Sequence, residues 1–337
     1  MTLPMSLVFL LTLAPGFPVA FSLGLTAFSG LWLLDEPLLL MAQRMFTGVD
    51  SFPLMAVPFF VLAGEIMNRG GTTQRLIEFA NVLVGRIPGG LAHTNIVASM
   101  FFGGISGSAV ADASAIGTIL IPGMVRQGYS PGFSAAVTAA SSTMGPIIPP
   151  SIFMVIMGVT TGLSIGGLFA AGLIPGLLIG GSMMVYSYIM AVRRKFPRDH
   201  TPFGFARLGR DFVQAGPAVL APIIILGGIL GGVFTPTEAA AVAVLYAYFL
   251  GVVVYRELKW RDLIGIFISS GTTTAVLLLI IGMANIFAWV LTAEQIPQRI
   301  AEALLSLTNN PYLILLLINV LLIFVVMFLE GGAAIII

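Results

Sequence analysis

Long stretches without a charged residue constrain this chain more than any other feature of its sequence. The segments from Ile165 to Val192 and from Leu263 to Leu291 contain no Asp, Glu, Lys or Arg. A helix needs about 20 apolar residues to cross the hydrocarbon core of a bilayer, and both segments exceed that length. The whole chain is 58% hydrophobic and 9% charged, whereas a soluble domain is about 25% charged. The sequence therefore predicts an all-α polytopic membrane protein that lies in a lipid bilayer.

Several classes of site are excluded by what the sequence contains. It has no cysteine, and its two histidines, His93 and His200, are far apart, so neither a disulfide framework nor a thiolate or histidine metal cluster is expected. A net charge of +1 gives no reason to expect a nucleic-acid partner. The N-terminus carries no basic residue before its apolar run, which indicates a retained membrane segment rather than a cleaved signal peptide.

The segment from Gly103 to Pro122, GGISGSAVADASAIGTILIP, combines small polar residues with one acid inside apolar surroundings. It predicts a helical hairpin broken at its tip, with limbs at Leu91 to Gly104 and Asp112 to Val125. Each limb is too short to cross about 30 Å of hydrocarbon, so the hairpin is expected to enter and leave on the same side. Broken backbone at membrane depth offers free carbonyl and N–H groups to an ion or an anionic substrate. The alternative is a helix-packing surface, because Gly103 and Gly107 form a G-x-x-x-G motif.

A second interrupted helix is predicted from Pro131 to Thr161. Proline removes a backbone donor and blocks the carbonyl four residues earlier, so a helix must kink or unwind there. The freed carbonyls and nearby hydroxyls would form a second group of oxygen ligands for a cation, and a simple proline kink is the alternative. The residues that interrupt the helix or supply these hydroxyls are Ser141, Ser142, Thr143, Gly145, Pro146, Pro149, Pro150 and Ser151.

Other segments are expected to form spans or surface helices. Thr73 to Val84 is predicted to lie along the membrane surface on an apolar side, and Ile296 to Leu307 to be a second amphipathic helix. The apolar segment from Leu263 to Leu291 is expected to be interrupted at Ser269 to Thr274 and near Asn285. Thr235 or Thr237 is a plausible helix cap. The apolar side of the first surface helix consists of Leu76, Ile77, Ala80 and Leu83.

The distribution of positive charge predicts an orientation. If the basic loop at 193–210 faces the cytoplasm, only Arg44 and Arg299 of the fifteen basic residues fall on the outer side, as the positive-inside rule requires. The N-terminus is then periplasmic. The hairpin around Ser106 opens from the cytoplasm, and a second one near Glu330 opens from the outer side.

Two parts of the chain repeat the same order of elements in opposite orientation. A span, an amphipathic surface helix and a hairpin occur first from Phe52 to Val125 and again from Leu263 onward. Inverted repeats of this kind are typical of secondary transporters, which bind substrate between the repeats. The predicted organisation is N-terminal scaffold spans at 1–50, a first repeat at 51–161 with hairpin 91–126 and broken helix 131–161, connecting spans at 162–261, and a second repeat at 262–337.

Several motifs carry a family resemblance over nearly the whole chain. The runs FPLMAVPFFVLAGEIMNRGG, GRIPGGLAHTNIVASMFFGGISGSAVADASAIGTILIPGM and GYSPGFSAAVTAASSTMGPIIPPSIFMVIMG closely resemble the large membrane subunit of tripartite ATP-independent periplasmic (TRAP) transporters. The resemblance implies sodium-driven import of a small organic acid across the bacterial inner membrane by an elevator movement. It also implies a small membrane subunit and a periplasmic substrate-binding protein as partners.

The resemblance further implies a sodium and substrate site built from the hairpin tip and the broken helix. Sodium is expected near Ser106, Ser108 and Gly145, mostly on carbonyl and hydroxyl oxygens, as the coupling ion and with no other cofactor; Asp112 would orient the tip or offset the charge. The residues that match the family's tip and broken helix, together with the hydroxyls just before the break, are Ser106, Gly107, Ser108, Asp112, Ser141, Thr143, Gly145, Pro146, Pro149, Pro150 and Ser151.

The sequence departs from the family pattern at its C-terminal end and disfavours other functional classes. The family's second hairpin and second broken helix continue beyond Ile337, so the chain is expected to be C-terminally incomplete. An intramembrane enzyme is disfavoured by the lack of an H-E-x-x-H motif or an acidic pair within a span, and a channel by the lack of charged rings or a filter motif. The alternative is a sodium-coupled anion symporter that needs no binding protein. Ion roles for Glu65, Glu238 and Glu330 stay open beside capping or structural ones.

Overall fold

The computed structural model describes residues 2–196, 205–308, 310–328 and 331–336, and all its regular structure in these ranges is helical. The helices are α1 Thr2–Leu13, α2 Val19–Leu33, α3 Leu39–Val49, α4 Ala56–Arg69, α5 Thr72–Val84, α6 Gly90–Ser106, α7 Ala109–Arg126, α8 Pro131–Ser142, α9 Ile152–Thr161, α10 Ile165–Arg194, α11 Phe205–Leu230, α12 Pro236–Phe249, α13 Trp260–Ala293, α14 Ile296–Leu307, α15 Pro311–Phe328 and α16 Gly331–Ile336. A 3-10 turn, Phe52–Met55, precedes α4, and a π-helical turn, Leu250–Val254, follows α12.

Four helices in the described ranges are long and apolar enough to cross a membrane. They are α7, α10, α13 and α12 with its π-helical turn. Such lengths of apolar helix bury their backbone polar groups within the helix itself, which is the requirement for spanning hydrocarbon. The chain is therefore an all-α, multi-pass membrane protein, as the sequence predicts.

The chain divides into two compact units, Phe52–Thr273 and a unit that combines Met1–Ser51 with Thr274–Ile337. The core of the combined unit lies between α2 and the second half of α13. Leu23 and Leu31 of α2 are fully buried there with Val290 of α13, and the guanidinium of Arg44 lies 5.5 Å from the ring centre of Trp289. Arg44 belongs to α3, a helix that the sequence analysis did not predict.

The other unit contains α4 to α12 and carries the predicted hairpin. The position of α5 along the membrane surface stays a prediction, and the structure shows that α5 packs against α6 and α11. Leu76, Ile77 and Ala80 are buried by these contacts, while Leu83, which was expected to share their apolar side, is 47% exposed. The apolar face of α5 thus serves as core within the protein.

The predicted interruptions of the segment from Leu263 to Leu291 are wrong. The helix α13 is continuous from Trp260 to Ala293. The Thr272 hydroxyl donates to the carbonyl of Ile268, one turn earlier, at 2.8 Å. Hydroxyl side chains can therefore stay in an apolar helix without breaking it, because the helix itself satisfies them.

Two of the three acids left open by the sequence have structural partners. Glu65 accepts a hydrogen bond from Arg69 at 2.9 Å. Glu238 and Thr235 form a capping box at the start of α12, where Thr235 N–H donates to Glu238 Oε2 at 2.8 Å. Glu330 lies outside the described residues, as do Arg198 and His200 of the basic loop.

The capping box gives a prediction for stability. Thr235→Ala removes the hydroxyl that accepts from the Glu238 N–H, so the free energy of unfolding should fall by about 1 kcal/mol. The measurement is the unfolding of the purified protein in detergent. Thr272→Ala is the control, because that threonine lies inside α13 and caps nothing. Equal stability of both variants would show that the box contributes nothing.

Candidate functional site

The predicted hairpin is formed by α6 and α7, and fewer residues separate its two helices than the sequence predicts. Only Gly107 and Ser108 separate the two helices. Gly107 has a φ of +60°, a conformation that glycine adopts without the strain of a Cβ atom. The Ser108 hydroxyl caps α7 by accepting from Ala111 N–H at 3.4 Å.

The limbs of the hairpin are longer than predicted. The predicted limbs run from Leu91 to Gly104 and from Asp112 to Val125, whereas α6 has 17 residues and α7 has 18. At 1.5 Å per residue each is about 26 Å long, close to the thickness of a bilayer's hydrocarbon core. Length therefore no longer excludes a crossing by α7, which is long and apolar enough to span a membrane, and entry and exit on one side stays a prediction.

The helix with the Pro-rich centre is in two parts, α8 and α9, separated by irregular backbone from Thr143 to Ser151. Ser151 caps α9 by accepting from Met154 N–H at 3.3 Å, and its hydroxyl donates to the Pro146 carbonyl at 2.5 Å. Within the described residues no backbone N–H donates to the carbonyls of Gly145, Pro149 or Pro150. The break therefore contains carbonyl oxygens that lack a backbone hydrogen-bond donor and face the hairpin.

The hairpin tip packs backbone against backbone on this break. A Cβ atom added to Gly103 would lie 3.0 Å from the Cα of Gly145, and one on Gly107 would lie 2.8 Å from the Pro150 carbonyl oxygen. A Cβ atom on Gly145 would lie 3.1 Å from the backbone of Ser108. At Gly107 a side chain would force a shift, and at Gly103 and Gly145 it would push on neighbouring backbone, so glycine favours this close approach.

The termini of four helices lie at this contact. The C-terminus of α6 and the N-terminus of α7 meet at the tip, and the C-terminal end of α8 and the N-terminus of α9 border the break. Helix C-termini present carbonyl groups with partial negative charge, and helix N-termini present N–H groups with partial positive charge. One small region of the protein thus offers oxygen ligands for a cation beside N–H groups suited to an anion.

Most of the predicted site residues lie in or next to this contact. Ser106 is buried at the end of α6. Thr143 differs, because it is exposed and its hydroxyl donates to the Ala140 carbonyl at 2.7 Å. The residues that border the contact are Ser106, Gly107, Ser108, Gly145, Pro146, Pro149, Pro150 and Ser151.

Asp112 lies behind the tip rather than at it. Its side chain is fully buried in the first turn of α7, with the hydroxyls of Ser99 and Ser142 beside it. Neither carboxyl oxygen has a partner with full hydrogen-bond geometry, and among the described residues no basic side chain lies within 4.0 Å. Its backbone N–H donates to the Ser108 carbonyl at 3.1 Å, which links it directly to the tip.

Ser141, a predicted site residue, belongs to a buried polar layer between α6 and α8 whose other members were not predicted. Asn95 Nδ2 donates to Thr138 Oγ1 at 2.7 Å, Ser141 Oγ donates to Asn95 Oδ1 at 2.9 Å, and Ser99 Oγ lies 3.0 Å from Ser141 Oγ. Asn95 and Ser99 are four residues apart on α6, while Thr138 and Ser141 are three apart on α8. Polar residues at this spacing share one helix face, so the pattern could have indicated the layer.

The kind of cation that the region suits follows from its donors. No group of three or more His, Cys, Asp or Glu side chains that could hold a metal occurs in the part of the chain that the structure describes. The available groups are backbone carbonyls and hydroxyls, which are ligands for hard cations. Unwound carbonyls and helix C-terminal ends coordinate Na⁺ in secondary transporters, and the donors at this contact fit that ion.

Comparisons with known proteins agree with this architecture. Residues 6–337 match the family model described as "Tripartite ATP-independent periplasmic transporter, DctM component". The sialic acid TRAP transporter large permease protein SiaM of Vibrio cholerae is 45% identical over 322 residues, which cover 94% of this chain and 74% of that protein.

Two further relatives are named for other compounds. The C4-dicarboxylate TRAP transporter large permease protein DctM of Pseudomonas aeruginosa is 42% identical, over 88% of this chain and 69% of its own length. The isethionate TRAP transporter permease protein DctMQ of Oleidesulfovibrio alaskensis is also 42% identical, over 98% of this chain. The chain spans about half the length of that last protein, at 52%.

The glycine contact gives a prediction that needs no transport assay. Gly103→Ala should lower the free energy of unfolding by about 1–3 kcal/mol, because the added methyl group meets backbone that cannot easily move. Gly181→Ala is the matched control, since a Cβ atom there meets nothing within 4 Å. Both glycines are helical, so both gain up to about 1 kcal/mol of helix propensity, and the difference between their thermal midpoints isolates the contact. Equal midpoints would contradict the close packing.

Proposed function

Since the chain belongs to the DctM-component family of tripartite ATP-independent periplasmic transporters, we propose that it imports a small organic anion across the membrane with sodium as the coupling ion. Its relatives are transporter permeases, and the chain is accordingly a transport protein and not an enzyme. The observation that carries the sodium proposal is the packing of the hairpin tip against carbonyls of the break that accept no backbone hydrogen bond.

The termini at this contact suggest how cation and anion would bind together. Sodium would be held by carbonyls at the ends of α6 and α8 with the hydroxyls of Ser106 and Ser108, while the N-termini of α7 and α9 would attract the negative charge of the substrate. Sodium bound first would add positive charge beside these N-termini and so raise the affinity for an anion. This electrostatic coupling would let the sodium gradient drive the uptake of the acid.

Two further subunits complete the proposed system. A periplasmic binding protein would capture the acid and deliver it, and a small membrane subunit would assemble with this chain. The names of the relatives support an anionic substrate, because they refer to sialic acid, C4-dicarboxylates and isethionate. These three anions differ in size and in acidic group, so the family resemblance favours the charge of the substrate rather than one compound.

The movement and orientation are part of the same proposal. The hairpin and the broken helix would carry substrate and sodium together across the bacterial inner membrane by an elevator movement. Their backbone-to-backbone packing favours this, since two elements so closely packed would move as one body. The N-terminus would be periplasmic, because thirteen of the fifteen basic residues then lie on the cytoplasmic side.

The test is uptake of radiolabelled organic acids into proteoliposomes that contain the full-length protein and its small subunit. Each acid is supplied with and without its binding protein, and with an inward gradient of either sodium or potassium. We expect uptake only when sodium and the binding protein are both present. Uptake with sodium alone would identify a binding-protein-independent symporter, and uptake that is equal with potassium would refute sodium coupling.

A substitution at the tip tests the proposed site. Ser108→Leu removes the α7 cap and places a bulky apolar side chain beside Gly145, so sodium-driven uptake should fall to background while membrane insertion is retained. Ser182→Leu is the control, because Ser182 is exposed on α10 and its hydroxyl, within the described part of the chain, bonds only the Ile179 carbonyl of its own helix. Unchanged sodium dependence in Ser108→Leu would leave the tip as a packing element only.

A further inference from the structure

We propose that Asn95 is a positioning residue for the cation site: its amide group fixes the register of α8 against α6, and thereby the place of Gly145 at the hairpin tip. This inference rests on the proposed function, because it assigns a role to a residue that would not touch sodium or substrate itself. It extends the transport site to a side chain about three helical turns away from the tip.

The Asn95 side chain attaches to α8 at two points. It is fully buried and bridges residues that are 43 and 46 positions later in the chain. Its Nδ2 donates to Thr138 Oγ1 at 2.7 Å, and its Oδ1 accepts from Ser141 Oγ at 2.9 Å. Because these two partners lie about one turn apart on the same face of α8, the amide restricts both the rotation and the axial position of that helix.

An amide matches both partners on α8. Thr138 donates its own hydroxyl hydrogen to the Ser134 carbonyl at 2.8 Å, so it is left to accept a hydrogen bond. Ser141 Oγ lies 2.9 Å from Asn95 Oδ1 and 3.0 Å from the Thr138 carbonyl, so its hydrogen has these two acceptors. A carboxylate in place of the amide would offer no donor to Thr138, and an apolar side chain would remove both hydrogen bonds that residue 95 makes to α8.

Residues of α6 contact α8 and the residues just after it at three successive positions along the helix. On α6, Asn95, Ser99 and Gly103 are four residues apart and lie on one face. Opposite them, Asn95 meets Thr138 and Ser141, Ser99 meets Ser141, and Gly103 meets Gly145. Both series run in the same direction along the chain, so α6 and α8 are parallel here. The polar contacts therefore set the register in which the backbone contact of Gly103 and Gly145 occurs.

The last turn of α8, which Asn95 contacts through Ser141, continues directly into the proposed cation site. The carbonyls of Ser141 and Ser142, in the last turn of α8, accept from the N–H groups of Met144 and Gly145 at 3.1 and 3.0 Å. A slip of one turn between α6 and α8 would move Gly145 by about 5.4 Å. The carbonyls after it would then no longer lie beside the tip, so the cation would bind only the fraction of molecules in the correct register.

This mechanism predicts a specific change in transport kinetics. In Asn95→Ala the sodium concentration for half-maximal uptake should rise about tenfold, because apparent affinity falls in proportion to the competent fraction. The maximal rate at saturating sodium should be retained, since bound sodium restores the correct register. A purely structural loss would instead lower the amount of active protein and its maximal rate without changing the sodium concentration for half-maximal uptake.

Two further variants make the test specific. Asn95→Asp, which keeps the shape but loses the donor, should shift the sodium dependence as Asn95→Ala does. Thr138→Val removes the partner hydroxyl, and combined with Asn95→Ala it should add less than its own separate effect, because the two share one hydrogen bond. Asn319→Ala is the matched control, since that asparagine is exposed and, among the described residues, bonds only the Leu315 carbonyl of its own helix.

A binding measurement on the purified protein separates the possible failures. Sodium bound by the folded state should raise the thermal midpoint, with potassium as the reference salt, and Asn95→Ala should need about tenfold more sodium for the same rise. An unchanged sodium requirement in Asn95→Ala, Asn95→Asp and Thr138→Val would overturn the positioning role while sodium coupling stands. If sodium changes neither the uptake nor the thermal midpoint of the wild-type protein, the proposed function and this inference are both refuted.

Discussion

The structure depends on the requirement that backbone polar groups away from water have partners. The segment from Thr143 to Ser151 departs from helical geometry, and several of its carbonyls accept no backbone hydrogen bond. At membrane depth such a segment is tolerated only where protein encloses it or where it lines a polar cavity. The hairpin tip meets that condition, because Gly103 and Gly107 let its backbone approach the break without intervening side chains. The break and the hairpin are therefore interdependent.

This interdependence explains why small and polar residues concentrate in two stretches that are far apart in sequence. Glycine at the tip permits close approach, and proline in the break prevents a continuous helix. Serine at the starts of α7 and α9 caps N–H groups that the interruption leaves without partners. Each residue type answers a separate physical need created by the broken backbone. The same needs leave oxygen and N–H groups directed into one small region, which is the chemical basis for proposing that ions of both signs bind there.

Much of this arrangement could be predicted from local sequence, because glycine and proline act on the backbone where they stand. The hairpin and the broken helix were found in this way, and so was the Thr235 cap. The polar residues of α13 were misjudged, since the hydroxyl of Thr272 is satisfied by its own helix. For α5, periodicity distinguished the buried residues Leu76, Ile77 and Ala80 but gave no indication of whether lipid or protein would cover them.

Residues whose role depends on long-range pairing were beyond local reasoning. Nothing in the local sequence distinguishes Asn95 from other polar residues of α6, because its partner Thr138 lies 43 residues later in the chain. Its spacing from Ser99 indicates only a shared helix face. The partner face on α8 is defined by the path of the chain through α7 and the turn at Gly128, and this path is a property of the whole unit. Asp112 shows the same limit, because its complete burial follows from helices on either side of it.

The matched faces of α6 and α8 also determine where the length of this chain can vary. One residue inserted between Asn95 and Gly103, or between Thr138 and Gly145, would rotate everything beyond it by about 100° and move one face away from its partner. The turn around Gly128 is different, because Gly128 has a φ of +95° and open space around its Cα. Evolutionary insertions and deletions are therefore expected to accumulate in that turn and to be excluded from both matched stretches.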